Sequence, residues 1–332
     1  MASAVTRPKP DVEIRLFRWS DLPGLVDLVN AALMVDGGDY PVTVEQLRHY
    51  FASPRRQPES TCVVAVRPSG QIAGFGCPAF EDARQVWVGG NVHPGCRRRG
   101  IGTRLVRAVE DRVRDWQRAR ENQPVHLRYF VSEGRGELAT LLYGEGYQAV
   151  RAAYIMRIDL ARPCEAPPLP DGMVLRPFVR ERDAQAVYRA DHEAFREHWG
   201  YSEESFDSWS HELFDHSLYD PSLWLVAWSG DEVAGYLIGR CYSESQPRTG
   251  WIDILGVRPA WRRRGLATTL LGQAFHEFWA RDYQQVDLGV DADNTTHAVQ
   301  LYERVGMRVH RRDQVYEKVL EPDGHADDTE QR

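Results

Sequence analysis

The sequence predicts a mixed α/β fold that is present twice in one chain. Three observations lead to this expectation: an internal repeat, an alternation of strand-like and helix-like segments within each copy, and a globular composition. The 332 residues suit two domains of about 150 residues each. Apolar residues make up 42% and charged residues 27% of the chain, which is ordinary for a globular protein.

The repeat consists of four pairs of similar segments that follow one another in the same order. The pairs are EIRLFRWSD (13–21) with VLRPFVRERD (174–183), VVAVRPSGQIAGF (63–75) with WLVAWSGDEVAGY (224–236), VHPGCRRRGIGTRLV (92–106) with VRPAWRRRGLATTLL (257–271), and LLYGEGYQ (141–148) with QLYERVGMR (300–308). From them we predict an N-terminal domain, 12–158, a proline-rich linker, 159–172, a C-terminal domain, 173–320, and a disordered acidic tail, 321–332.

Each copy reads, in order, as a strand, helices, a hairpin, a long strand, a helix, a strand, a helix and a strand. In the second copy, 174–178 opens as a strand, 182–195 has helical spacing, and 224–242 is a hairpin with a Gly-Asp turn. The remaining elements are predicted as strand 250–257, amphipathic helix 266–282, buried strand 285–292, a helix from near Asn294 to Gly306, and a closing strand 315–320.

Charge, cysteine and hydropathy patterns exclude several classes of protein. The net charge of −7 gives no general support to nucleic-acid binding. Five cysteines without a CxxC pair predict reduced, mostly buried thiols and no zinc site. No apolar run approaches the roughly 18 residues of a membrane helix, and the first residues lack the apolar stretch of a signal peptide. We therefore expect a cytoplasmic protein without metal, membrane or nucleic-acid partners.

An arginine-glycine turn between a strand and a helix is the most informative motif of the repeat. In RRRGLA, 262–267, a glycine and a small residue let a ligand approach the backbone closely. The amides that begin the next helix have no intrahelical partner and lie at the positive end of its dipole, so the turn suits a pyrophosphate. A solvated basic turn is the alternative interpretation of one such motif, but the motif occurs twice in the same context. Missing GxGxxG and GK[ST] patterns exclude Rossmann and Walker loops.

The pattern V-x-P-x-x-R-x-x-G-x-A/G before an apolar helix, then a strand, an Asn and L-Y-x-x-x-G, resembles the GNAT acetyltransferase superfamily. The resemblance covers both copies. It implies two tandem GNAT folds, each a mostly antiparallel sheet with a splayed parallel strand pair and flanking helices. It also implies that the turn holds the pyrophosphate of acetyl-CoA, that 255–257 pair with the pantetheine arm, and that the Val257 amide polarises the thioester carbonyl.

The residues that the resemblance implies in binding acetyl-CoA come from both copies. They are Leu255, Gly256, Val257, Arg262, Arg263, Arg264, Gly265, Leu266, Ala267, Thr268 and Asn294 in the second copy, and Val92, Arg97, Arg98, Arg99, Gly100, Ile101, Gly102 and Thr103 in the first.

Three residues of the second copy are candidates for the chemistry, which needs an uncharged amine and a proton for the departing thiolate. Tyr302 lies where the family commonly uses a tyrosine acid; alternatively it is a packing aromatic. Asp253 precedes Val257 by four residues, and strand alternation places both on one face. It is therefore a candidate base or, alternatively, a hydrogen-bonded structural acid. Glu193, on the first long helix, is a second candidate base.

The first copy keeps the turn but lacks the other candidates. Val88 stands at the position of Asp253, Glu133 or a neighbour at that of Asn294, and Leu142 at that of Tyr302. Tyr143 is displaced by one residue and should therefore point about 100° away on a helix. We expect the first copy to bind CoA with little turnover and the second copy to be catalytic.

The segment 195–224 is rich in aromatic, acidic and histidine residues, and in this family such a segment walls the acceptor site. It suits a cationic small-molecule amine; alternatively it is an amphipathic helix pair with core aromatics. The tandem architecture resembles mycothiol synthases, which acetylate the cysteinyl amine of a sugar-linked thiol in their C-terminal domain. Antibiotic or peptide amines, and a non-catalytic acyl-CoA-binding module, remain alternatives. We expect a monomer whose two copies form an internal pseudo-dimer.

Overall fold

The computed structural model describes residues 11–37, 41–163, 165, 167–215, 217–243, 246–293 and 297–322, with 246 and 247 described by their backbone alone. Asn294 and the predicted tail beyond Pro322 lie outside these residues. The chain divides into two compact units. Unit 1 contains the residues up to Val150 and from Val315 onward, and unit 2 contains Arg151–Gln314.

Unit 1 contains most of the elements predicted for the N-terminal copy. Its elements are β1 (Glu13–Leu16), α1 (Leu22–Asp36), α2 (Val44–Ala52), α3 (Pro58–Thr61), β2 (Val63–Val66), β3 (Ile72–Phe80), β4 (Gln85–Val92), α4 (Ile101–Arg118), β5 (Val125–Ser132) and α5 (Gly136–Gly144). Strands β1 to β4 pair in antiparallel order, whereas β4 and β5 run parallel. Helix α4 buries Leu105, Val109, Val113 and Trp116, and this spacing is that of one helix face.

The elements of unit 2 are β6 (Gln148–Asp159, from Arg151 in this unit), β7 (Met173–Pro177), α6 (Arg180–Phe195), α7 (Phe206–Phe214), β8 (Trp224–Ser229), β9 (Glu232–Ser243), β10 (Gln246–Val257), α8 (Leu266–Ala280), β11 (Gln285–Asp291), α9 (Ala298–Arg304) and β12 (Arg308–Leu320). From β7 to α9, unit 2 follows the order of unit 1, with two α-helices before the hairpin where unit 1 has three. The strand order in this unit is β12-β6-β11-β10-β9-β8-β7. From β6 to β7 neighbouring strands are antiparallel, except for the parallel pair β10 and β11. The predicted mixed α/β architecture is confirmed.

Apolar residues cover both faces of the sheet in unit 2. On one face, Leu266, Leu270 and Phe278 of α8 belong to the same core as Leu237 and Ile252 of the sheet. The second core contains α6, α7 and the opposite sides of β8 and β9. Full burial of each Leu or Phe side chain contributes about 1.5–3 kcal/mol, so the two cores hold the sheet between two helical layers.

Two long strands are divided between the compact units. The residues of β12 up to Gln314 belong to unit 2, whereas 315–320 belong to unit 1 and lie beside β5. In unit 2, residues 153–159 of β6 pair with β11. The predicted boundaries 12–158 and 173–320 follow the duplicated sequence, while each compact unit includes a strand segment from the other copy.

Cysteine pairing differs from the sequence-based expectation of reduced thiols. Cys62 and Cys77 form a disulfide, and Cys96 and Cys241 are free thiols. The reason lies in the register of the first hairpin. Val63 pairs with Gly76 across β2 and β3, so the preceding and following cysteines face each other. Spacing along the sequence alone does not reveal this register.

The last helix of unit 2 ends where the sequence predicts and begins later. Helix α9 starts at Ala298 rather than near Asn294. Its end is marked by Gly306 at φ +95° and by a bond from the Met307 amide to the Tyr302 carbonyl, the arrangement by which glycine stops helices. Within the described residues, no helix has the length and apolarity needed to cross a membrane.

A partly buried ion pair connects 315–320 to the rest of unit 1. Lys318 Nζ donates to both carboxylate oxygens of Glu110 at 2.9 Å and to the Glu145 carbonyl, and the Tyr147 hydroxyl donates to Glu110 at 3.0 Å. The Glu110 side chain is only 11% exposed.

We predict that Glu110→Ala lowers the free energy of unfolding by about 3 kcal/mol, because it leaves a partly buried ammonium and a buried hydroxyl without their acceptor. The matched control is Asp115→Ala on the same helix, whose ion pairs with Arg112 and Arg118 lie at the surface; it should change stability by less than about 0.5 kcal/mol. Urea unfolding followed by tryptophan fluorescence measures both. Equal midpoints for the two variants would contradict the role given to the pair.

Candidate active site

The parallel strand pair of unit 2 separates partway along its length. Strands β10 and β11 pair from Thr249 to Ile252 and from Gln285 to Leu288. Beyond that point Leu255, Gly256 and Val257 still pair with β9. Their other edge has no paired strand in the described part of the chain, so backbone groups there are available to a ligand.

Unit 1 contains the same separation, and a cavity lies beside it. Strands β4 and β5 pair from Gln85 to Val88 only, while β4 remains paired with β3 up to Val92. A cavity of about 460 Å³ opens at the separation. Among its lining residues are Phe75, Val88, Val92, Asn91, Val109, Tyr129, Asp36, Arg97, Arg98, Gly100, Gly102, Thr103 and Arg135. Its apolar wall and polar end suit an elongated ligand with an anionic head.

Both arginine-glycine turns have the same unusual backbone. Arg98 and Arg263 each have φ +61°, and Gly100 and Gly265 have φ +79° and +84°. A left-handed arginine is strained, so its presence at the same place in both copies indicates a conserved turn geometry within the chain. Left-handed residues in a tight turn can direct successive amides toward one side, as in anion-binding nests.

The side chains of the turn have distinct environments. Arg98, Arg99, Arg263 and Arg264 extend toward solvent, whereas Ile101 and Leu266 are buried in the core. Ile101 and Leu266 therefore have only main-chain amides to offer a ligand. Gly102 and Ala267 follow in the first helical turn, together with Thr103 and Thr268. A Cβ atom at Gly100 or Gly265 would meet no atom within 4 Å, which leaves open space above both turns.

The first arginine of each turn braces the turn from within, a role that the sequence did not predict. Arg262 Nε donates to the Val257 carbonyl at 3.1 Å, and its Nη2 donates to the Ala194 carbonyl at 2.8 Å. Arg97 Nε donates to the Val92 carbonyl at 3.3 Å, while its two Nη atoms bind Asp36 at 2.6 and 2.8 Å. Each arginine thus ties the end of its strand to the first long helix of its unit.

Tyr302 lies on α9, in the core that also contains Leu266 and Val290. It is 8% exposed, and burial raises its pKa to about 12. The phenol is therefore protonated at neutral pH, as a proton donor must be. In unit 1 the corresponding Leu142 is fully buried and Tyr143 is 68% exposed, which confirms that Tyr143 points away from the core.

Asp253 occupies a β-bulge, so the expected alternation does not hold around it. Ile252 pairs with Gly239, and Ile254 pairs with the adjacent residue of β9, which leaves Asp253 as the extra residue. Ile254 consequently faces α6, while Leu255 and Val257 face α8. Asp253 accepts from Arg240 Nε at 2.8 Å and Nη2 at 3.1 Å. Burial raises the pKa of this carboxyl, opposed by Arg240. The corresponding register in β4, around Val88, is unbroken.

Glu193 is also engaged by an arginine. Its Oε2 accepts from Arg258 Nε and Nη2, both at 2.8 Å. Both carboxylates predicted as candidate bases therefore hold an ion pair in this structure.

The aromatic segment 195–224 contributes to both the core and the surface. Trp209 is buried and Phe206 packs beside it, as the helix-pair interpretation expects. Trp199 is exposed, and the guanidinium carbon of Arg151 lies 5.1 Å from the centroid of its ring. Tyr201 Oη is 2.5 Å from His192 Nδ1. No group of three potential metal-ligating side chains occurs among the residues that the structure describes.

Two further groups were missed from the sequence. In unit 1, Arg135 donates to Asn91 at 2.7 Å and lies 3.5 Å from Asp36, so an ionic network closes one end of the cavity. In unit 2, the Tyr236 hydroxyl donates to Asp191. The second pair was detectable by aligning the two copies, because Phe75 stands where the second copy has Tyr236.

Comparison with known proteins agrees with this geometry. The profile of the Acetyltransferase (GNAT) family matches residues 23–126 and 184–307. The chain belongs to the GNAT acetyltransferase family. It is therefore an acyltransferase, and because the family match occurs twice it is a tandem GNAT protein.

Individual relatives place the chain more closely within the family. A mycothiol acetyltransferase from Salinispora arenicola is 34% identical over 71% of this chain and 75% of its own, and one from Thermobispora bispora is 32% identical over 65% and 70%. A GCN5-related N-acetyltransferase from Sphaerobacter thermophilus, 30% identical, superposes with a TM-score of 0.75 over 94% of this chain and 97% of its own. A tandem GNAT protein from the clavulanic acid biosynthesis pathway shares the fold, with 17% identity and a TM-score of 0.70 over 94% and 100%.

We predict that Arg262→Ala lowers the free energy of unfolding by about 1–2 kcal/mol, because two carbonyls lose a charged donor. Arg263→Ala is the matched control, since the Arg263 side chain makes no hydrogen bond or ion pair with any described residue; it should stay within about 0.5 kcal/mol of wild type. Chemical denaturation of both variants distinguishes them. An unchanged midpoint for Arg262→Ala would mean that the brace does not stabilise the turn.

Proposed function

We propose that the chain transfers the acetyl group of acetyl-CoA to a primary amine of a small molecule, directly within a ternary complex in the C-terminal copy. The observation that carries this proposal is the pair of left-handed turns, each located between a separating parallel strand and a long helix. Few ligands need both an anion site and an unpaired strand edge, and acyl-CoA is one of them.

The residues present fit acetyl-CoA. In unit 2 its pyrophosphate would lie against the amides from Arg263 to Thr268, above the open space at Gly265. The edge of Leu255–Val257 would pair with the amide groups of the pantetheine arm. When bound, acetyl-CoA supplies an activated thioester carbonyl. Asn294, which the resemblance also implies in binding, lies outside the described residues.

The residues of the second copy have separate proposed tasks. The Val257 amide would donate to the thioester carbonyl oxygen and polarise it. Tyr302 would give its hydroxyl proton to the departing sulfur, a role supported by its buried and protonated phenol. Arg262 would hold the Val257 end of β10 in position, because it joins that end to α6.

The first copy is proposed to bind acyl-CoA without turning it over. Its cavity and turn support binding. Leu142 replaces the tyrosine, and the ionic network of Asp36, Arg97 and Arg135 closes one end of the cavity. Non-catalytic binding is thus the second candidate function, restricted to this copy.

For the acceptor, the mycothiol acetyltransferase relatives favour the cysteinyl amine of a sugar-linked thiol as the first compound to test. Antibiotic amines and peptide N-termini are the alternatives. In the segment 195–224, Glu197 and Glu203 are exposed and their negative charge suits a cationic acceptor; Glu197 also lies 3.6 Å from Arg262 Nη1.

We predict that Gly265→Asp abolishes acetyl-CoA binding in the second copy, while Gly265→Asn retains it. Asp and Asn both adopt the left-handed conformation more readily than other non-glycine residues, so the pair isolates the effect of a carboxylate beside a pyrophosphate. Calorimetric titration with acetyl-CoA measures the loss, and Gly100→Asp with Gly100→Asn reports on the first copy in the same way. Unchanged titrations for both Asp variants would refute the acyl-CoA site.

We predict that Tyr302→Phe reduces kcat by about 10²–10³-fold, because the departing sulfur loses its acid. Acetyl-CoA affinity should remain within about twofold. The matched control is Tyr143→Phe, at the displaced tyrosine of the first copy, which should behave as wild type. Acetylation of a cysteinyl-glucosamine conjugate, followed by mass spectrometry, measures the rates. Full activity of Tyr302→Phe would remove Tyr302 from the mechanism.

A further inference from the structure

A hydrogen-bonded carboxyl–phenol pair lies on the α6 side of the strand that separates in unit 2. The Tyr236 hydroxyl donates to Asp191 Oδ1. Tyr236 is fully buried, whereas Asp191 keeps partial exposure. Asp191 Oδ2 makes no hydrogen bond with any described residue. Tyr236 also pairs directly with Gly256 across β9 and β10, so the phenol lies at the middle of the edge assigned to the pantetheine arm.

The first copy shows what the fold needs at these positions. Asp21 and Asp183 precede or begin the first helix of each copy, and each accepts from a backbone amide and an arginine. With these two aspartates aligned, the buried residues Leu22, Leu25, Leu28 and Ala32 of α1 correspond to Ala184, Val187, Ala190 and Ala194 of α6. The fifth buried residue of α1, Val29, corresponds to Asp191.

The residue that contacts the Val29/Asp191 position also changes from apolar in the first copy to polar in the second. Phe75 corresponds to Tyr236, and Val29 and Phe75 belong to one apolar core in unit 1. Phe75 pairs with Asn91, as Tyr236 pairs with Gly256.

The third difference makes room for the phenol. A Cβ at Gly256 would lie 2.5 Å from the Tyr236 hydroxyl oxygen. In unit 1 the Asn91 side chain is bound instead by Arg135. Three substitutions therefore convert an apolar contact into a polar site at one place.

We propose that Asp191, positioned by Tyr236, accepts the proton of the acceptor ammonium in the C-terminal copy. The inference rests on the proposed function and names the acceptor as a cationic primary amine. Replacing an apolar contact by a buried polar pair does not stabilise a fold by itself, and the first copy shows that Val and Phe suffice there. Asp253 and Glu193 each hold an arginine, whereas Asp191 has no cationic side chain bonded to it among the described residues.

Burial and the charges around Asp191 give its carboxyl a pKa that suits proton transfer near neutral pH. Burial raises its pKa to about 6; the Tyr236 hydrogen bond and His192 act in the opposite direction, and Glu204 adds to the rise. Tyr188 and Tyr201 also face it, and its charge contributes to raising the pKa of both phenols. At neutral pH the carboxylate is mostly ionised and attracts an ammonium. Below about pH 6 it is protonated and unable to accept.

The proton balance of the step is complete. The ammonium loses two protons when it becomes an amide. The first passes to Asp191 and then to solvent, which frees the nitrogen lone pair. The second leaves as the carbon–nitrogen bond forms and the carbon–sulfur bond breaks, and it offsets the proton that Tyr302 gives to sulfur. One proton is released per turnover.

The test measures kcat/KM against pH for wild type, Asp191→Asn and Tyr236→Phe, with acetyl-CoA and cysteine joined through its carboxyl group to glucosamine. Loss of thioester absorbance follows the reaction, because the thiol of the acceptor interferes with thiol reagents. We expect Asp191→Asn to lose about 10²–10⁴-fold at neutral pH, without the acidic limb of wild type. Tyr236→Phe removes a bond that lowers the Asp191 pKa, so its limb should move to higher pH.

Two further variants keep the result interpretable. Asp191→Val combined with Tyr236→Phe installs the contact of the first copy; it should fold with an unchanged or higher Tm, bind acetyl-CoA and lack activity. Asp231→Asn, an exposed carboxylate in the turn between β8 and β9, should behave as wild type. An active Asp191→Asn, a preserved acidic limb, or a rise in KM alone would overturn the role of Asp191 while the acetyltransferase activity stands. Wild-type protein without amine-dependent thioester loss would instead refute the proposed function, and this inference with it.

Discussion

The separation of two parallel strands is the constraint on which the rest of the structure depends. If strands β10 and β11 stayed paired beyond Ile252 and Leu288, no unpaired edge would remain at Leu255–Val257. A sheet opened in this way loses backbone hydrogen bonds, and buried backbone groups need partners. The opened edge is therefore stable only beside solvent or a ligand, which accounts for the cavity at the same point in unit 1.

The turn that follows each opened strand is held by only the first of its three arginines. Arg97 and Arg262 face inward to the carbonyl of the last strand residue, while the other arginines face outward. The inward arginine fixes the strained residue after it, at φ +61° in both copies. Charge at the surface and rigidity of the backbone thus come from different members of the same run.

The sequence was sufficient for the order of elements, because hydrophobic periodicity and an internal repeat constrain each other. It was insufficient wherever a contact depends on register. The bulge at Asp253 changes which residues of β10 share a face. Nothing in the local sequence WIDILGV indicates that one of its residues has no partner on β9. The Cys62–Cys77 pair depends on the hairpin register in the same way. Strand alternation is reliable only between bulges.

The duplicated chain also shows which differences belong together. A phenol in place of Phe75 would bury a hydroxyl without a partner, which costs about 1–3 kcal/mol. Aspartate in place of Val29 would bury a carboxylate without a donor, and with Asn91 retained the phenol would meet a Cβ at 2.5 Å. Each change is unfavourable alone and acceptable with the other two. Because the apolar version already packs the same helix on the same strand, stability does not explain the polar set. The polar set therefore serves a function that the second copy has and the first copy lacks. A carboxylate beside the opened strand, able to accept a proton, serves such a function.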